Sequence, residues 1–95
     1  MKFVFKSSIS RFGSILTPHI IEIDDHFIVY KKRNKNLINV DILSIPISKI
    51  AAIELNTALV GTDIIIRSVG LGEIRAKNFT LGDAKQIKEL IEARM

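Results

Sequence analysis

The chain has no cysteine and no tryptophan, and only one tyrosine and two prolines in its 95 residues. Without thiols it has no disulfides and no thiolate metal sites. A small domain that does without such staples fits a reducing compartment. No apolar run approaches the roughly 18 residues of a bilayer-spanning helix. The opening stretch MKFVFKSS is cut by Lys6 before a signal-peptide core can form. The expectation is an intracellular, cytoplasmic protein without a transmembrane segment. Charge of one sign is not in large excess either. A net charge of +4 favours anionic partners slightly and does no more.

What the chain has in abundance is isoleucine, 18 residues, with five valines beside it. β-Branched side chains lose rotamer freedom in helices and pack well on pleated sheets, so this bias points to strands. An apolar share of 47% against 25% charged residues is that of a globular domain, not a disordered one. The length suits a single domain with one modest core.

Short strands separated by turn signals follow along the chain. KFVFK is a candidate first strand. HIIEID sets Ile21 and Ile23 against Glu22 and Asp24, the period of a half-buried strand. Asp24-Asp25-His26 turns the chain and FIVYKK returns. In LINVDILSI, Ile38, Val40 and Ile42 are assigned to the inner face, and Pro46 ends the strand. KIAAIELN is the next strand, TALVGT a loop, and DIIIRSV a central strand. Gly70-Leu71-Gly72 makes a tight turn into EIRAKNF. There Ile74 and Ala76 point in, and Glu73, Arg75 and Lys77 point out. The period then changes. Leu81, Ala84, Ile87, Leu90 and Ile91 form one helical stripe. Thr80 and Asp83 resemble a capping box, and Lys85–Glu89 and Lys88–Glu92 are spaced as i,i+4 pairs.

About seven antiparallel strands and a closing amphipathic helix is the element order of a pleckstrin-homology (PH)-like domain. IPISKI at 45–50, GTDIIIRSVG at 61–70, GEIRAKNF and the closing IKELIEA resemble segments of bacterial PH-like domains. The resemblance covers residues 18–94. It implies a mainly β fold: an antiparallel sandwich or open barrel over 18–95, capped by the C-terminal helix. Residues 1–17 are an N-terminal segment outside the family pattern. The resemblance also implies a binding scaffold, not an enzyme, and some bacterial members assemble into rings. Eukaryotic PH domains commonly read phosphoinositides through basic loop residues, but fold similarity does not transfer that role.

Candidate sites come from residue type and spacing. Lys31, Lys32, Arg33 and Lys35 fall within five positions. They are an anionic-ligand site or a solvated turn whose lysines discourage edge pairing. Four cations near an anionic membrane contribute at most about 4 kcal/mol, a dissociation constant of about 1 mM. Only an oligomer would raise that to a useful avidity. Nucleic acid is not the expected partner, since Tyr30 alone borders the cluster and stacking needs interleaved aromatics. Asp24-Asp25-His26 reads as a polar turn rather than a metal site, because adjacent turn residues rarely converge on one centre. Phe27 and Phe79 read as core. No nucleophile–base set or carboxylate pair stands at catalytic spacing, and no cofactor is called for. Ile20, Leu43, Ile45, Ile47 and Ile65 fall opposite or beside the inward sets. They are a partner or oligomer surface, or else a strand is misregistered by one residue. The function expected is non-catalytic binding through self-association or a protein partner. The alternative is peripheral binding of anionic lipid.

Overall fold

Two β-sheets face each other in a computed structural model that describes residues 2–7, 19–33, 40–58 and 61–95, with the backbone only at 33 and 40. The first sheet has the order β1 (Phe3–Lys6), β2 (His19–Ile23), β3 (Phe27–Arg33), β4 (Val40–Pro46). A 3-10 turn, Ile47–Lys49, carries the chain to the second sheet. That sheet is β5 (Ile50–Ala58), β6 (Gly61–Ser68) and β7 (Glu73–Phe79), and helix α1 (Leu81–Glu92) follows. All pairings are antiparallel. Among the described residues, seven strands in two sheets with a C-terminal helix make the mainly β sandwich expected, compatible with a PH-like architecture.

The core forms where the inner faces meet. Ile21, Ile23, Ile28 and Ile45 come from the first sheet; Ile64, Ile66, Ile74, Ala76 and Phe79 from the second; Ala84, Ile87 and Ile91 from the helix. Each large side chain so buried contributes about 1.5–3 kcal/mol relative to exposure. The helix begins at Thr80, whose Oγ1 accepts a hydrogen bond from Asp83 N–H at 3.1 Å, which satisfies one otherwise orphaned donor. Lys88 and Glu92 pair at 3.8 Å. Gly70 and Gly72 take φ of 78° and 90°, and Ser68 closes that turn by donating N–H and Oγ–H to the Gly72 carbonyl.

Several expectations are corrected. β4 is turned over: Leu43 and Ile45 face inward opposite Tyr30 and Ile28, while Ile42 is 62% exposed. A one-residue change of register inverts every side chain. Both parities of VDILSI are apolar, so only pairing with β3 decides. Phe27 opens β3 opposite Pro46 and is 43% exposed rather than core. Leu81 is also exposed, at the very start of the helical stripe. The strand of KIAAIELN runs on through Thr57 to Ala58, which pairs with Gly61, so a hairpin replaces the longer loop. The first strand expected at KFVFK is present as β1 and pairs with β2 along its length. Ile38 lies outside the described residues.

Candidate functional site

The outer face of the first sheet carries an unusual pattern. Cross-strand pairing lines up Lys6, Ile20, Lys31 and Ile42 in one row, and Val4, Glu22, Val29 and Ser44 in the next. The two rows are a checkerboard. Diagonal neighbours on a sheet lie about 7–8 Å apart. Val4, Ile20, Val29 and Ile42 therefore form an apolar zigzag across all four strands. Its two ends are the most open, Val4 at 51% and Ile42 at 62% exposure. The helix packs against the core on the other side.

Charge surrounds the zigzag. Glu22 accepts from Lys31 Nζ at 2.8 Å and lies 3.0 Å from Lys2 Nζ. Those two lysine contacts, Lys31 first, hold its carboxyl below the ordinary range. Lys2, Lys6 and Lys31 against Glu22, with Asp24 beside Lys2, leave this face mildly basic.

The basic cluster is not one patch. Residues 31–33 continue strand β3 rather than forming a turn. Period two then sends Lys31 to the outer face, while Lys32 pairs across the sheet with His19 at the sandwich end. The Arg33 side chain and all of Lys35 lie outside the described residues. The apolar set is divided too. Ile20 lies on the outer face. Leu43, Ile45 and Ile47 belong to or line the core. Ile65 is on the outer face of the second sheet yet only 7% exposed, flanked by Glu54 and Arg75 in a network of Arg67 with Glu54 and Glu73, and of Arg75 with Glu73. Val4, Val29 and Ile42 were missed by the sequence reading. The signal lay only in the alternation that sets Val4 against Phe3 and Phe5, Val29 against Ile28 and Tyr30, and Ile42 against Leu43 and Ile45.

A polar pair of buried His19 and half-buried Tyr30 closes the end near Lys32. Tyr30 Oη and His19 Nδ1 are 2.5 Å apart, and Tyr30 Oη is 3.4 Å from the Arg75 carbonyl. Either neutral tautomer of His19 is satisfied: Nδ1 accepts the phenol hydrogen, or Nδ1–H donates to Oη while the phenol turns to Arg75. Burial first, then Lys32 and Lys77, lower the His19 pKa from 6.5. Burial, then Asp41, pushes Tyr30 up to about 12. The unfolded chain thus binds a proton on this histidine before the folded chain does. The stability from the neutral pair is full above pH 6.5 and is lost as pH falls through 6.5 toward the folded pKa. The expected result is a lower urea midpoint at pH 5.5 than at 7.5, with the difference much reduced in His19→Asn. A Tyr30→Phe variant should lose about 0.5–1.5 kcal/mol, the net worth of a typical hydrogen bond.

At the opposite end, Asp24 Oδ1 accepts from the backbone N–H of His26 at 2.8 Å and of Phe27 at 2.7 Å, which makes the carboxylate a turn-forming group. Among the described residues no three His, Asp or Glu side chains gather as a metal site, and no helix is long and apolar enough to cross a membrane. Comparison with protein-family models, curated proteins and solved structures finds no match; the likeness to PH-like domains rests on the sequence motifs and the order of elements.

Proposed function

We propose that this protein is a non-catalytic binding module whose partner is a protein seated on the outer face of the four-stranded sheet. The apolar zigzag of Val4, Ile20, Val29 and Ile42 carries the reading, because contiguous exposed apolar surface marks interaction sites. Charge selects the occupant. Two copies face to face would oppose three lysines with three, and each side has only Glu22 and Asp24 to offset them. Like-charge juxtaposition across an interface is costly. A partner surface that interleaves apolar and acidic side chains answers both features. PH-like scaffolding, as the resemblance implies, agrees with such a role.

The probes are short peptides that alternate Leu with Glu, and matched peptides with Lys for Glu, followed by fluorescence anisotropy. The Glu peptides should bind the wild type in a salt-sensitive manner and the Lys peptides should not. Ile42→Asp changes an exposed side chain and should cost folding about 1 kcal/mol or less. It should weaken peptide binding roughly tenfold or more, from lost burial of about 1.5–3 kcal/mol. No peptide binding, together with an apparent mass that rises with protein concentration, would assign the face to a second copy. Salt-sensitive retention on anionic vesicles, lost when Lys31, Lys32, Arg33 and Lys35 become Gln, would replace the protein partner with a membrane.

A further inference from the structure

An open cleft of about 510 Å³ lies at the end of the sandwich remote from His19. The β2–β3 turn, the 3-10 segment and the residues after α1 form its walls. Phe27, Pro46, Ile47 and Ile50 give it an apolar lining. A convex feature stands beside this hollow. The β6–β7 turn is tied to the 3-10 segment, because Val69 N–H donates to the Lys49 carbonyl at 2.8 Å. Lys49 lies in the chain between Ser48 and Ile50, two residues of the cleft wall. On that turn Val69 is 65% exposed and Leu71 44%.

Of the seven large apolar side chains exposed among the described residues, Phe27, Val69, Leu71 and Met95 lie at this end. Val4 and Ile42 belong to the outer sheet face, and Leu81 stands at the helix start. The β6–β7 turn is held in shape: Gly70 and Gly72 take positive φ, and Ser68 Oγ–H donates to the Gly72 carbonyl at 2.6 Å. A preordered apolar knob gives up little entropy on docking. Charge does not oppose self-contact here, as it does on the outer sheet. Asp24 and Asp25 stand against Lys49 and Arg94, two of each sign, and Asp25 pairs with Arg94 at 3.7 Å.

From an apolar knob and an apolar hollow side by side on one charge-balanced end, we infer that this end docks a second copy of the chain. A two-fold axis sets Val69 and Leu71 of each copy into the cleft of Phe27, Pro46 and Ile47 of the other. Isologous contact uses the same patch on both subunits, so every burial occurs twice. A bilayer would take the knob and leave the hollow unfilled. A small apolar ligand would fill the hollow and leave the knob in water. The interface uses none of the outer-face residues, so it stands or falls apart from the proposed function.

The test is sedimentation equilibrium of the full chain at rising concentration, with NMR contacts between labelled and unlabelled copies in one mixture. The apparent mass should climb from 10.7 kDa toward twice that value. Leu71→Asp, on an exposed turn, should keep the circular dichroism of the wild type and weaken association by about tenfold or more. Ile42→Asp, on the outer sheet, should leave association unchanged. In the wild-type mixture, methyl groups of Val69 and Leu71 in one copy should contact the Phe27 ring and Ile47 of the other. That readout needs no variant, so it decides the matter even if Leu71→Asp does not fold. A mass fixed at 10.7 kDa, association lost in Ile42→Asp but kept in Leu71→Asp, or intermolecular contacts that bypass the cleft would each overturn the assignment. So would a mass that climbs past the dimer, or a monomer that phosphatidylcholine vesicles retain only while Leu71 is intact.

Discussion

Replacing Phe79 by Ala is expected to cost about 3–5 kcal/mol, most of the stability of a domain whose total lies near the low end of roughly 5–15 kcal/mol. Phe79 is fully buried and is the last residue of β7, directly before the helix cap at Thr80. Its ring belongs to the core shared by both sheets and the helix. Truncation removes its transfer free energy and leaves a void that three elements cannot all relax to fill. Urea unfolding followed by circular dichroism should show a collapsed midpoint, or no cooperative transition at 25 °C. Phe27→Ala is the contrast, since 43% of that residue is already exposed; its cost should be about 1 kcal/mol or less. Equal losses in the two variants would contradict the core assignment.

A second large effect is expected at Gly61. Its φ is +151°, and a Cβ built there would lie 3.2 Å from the Asn78 Cα. The neighbouring strand is irregular at this point: register shifts between Thr62 and Ile64, and Asn78 has φ of 66°. Asp63 Oδ1 accepts from Asn78 N–H at 3.3 Å, which helps to hold that left-handed residue. Gly61→Ala meets an unfavourable backbone conformation and a close backbone neighbour at once. The expected cost is about 1–3 kcal/mol from the conformation, with the contact in addition. Asn78→Gly should be nearly neutral or stabilising, because glycine takes positive φ freely. Thermal melts of the two variants should move in different directions or differ by several degrees. A Gly61→Ala variant as stable as the wild type would refute the close approach of β6 and β7 at this point.

Most elements could be read from residue type and period. In β2 and β7 one parity carries charge, Glu22 in the first and Glu73, Arg75 and Lys77 in the second, so Ile21 and Ile23, or Ile74 and Ala76, are the set to be buried. The helix was legible from its 3.6-residue stripe and from the Thr80 cap. β3 and β4 were different. Phe27 and Val29 compete with Ile28 and Tyr30, and Val40 and Ile42 with Leu43 and Ile45. Both parities are apolar, so burial of either face would be favourable and local pattern is silent.

Half of the candidate site, Val29 and Ile42, lies in that degenerate part. Element types, their order and the absence of thiol chemistry follow from side-chain preference and composition, which act residue by residue. The facing of β4, the separation of Lys31 from Lys32, the exposure of Phe27 and the zigzag on the outer sheet depend on which strands pair and in what register. Pairing is a property of residues far apart in the chain. Tyr30 opposite Leu43, and Ile28 opposite Ile45, select one of two nearly equivalent apolar faces for burial and leave the other to the surface.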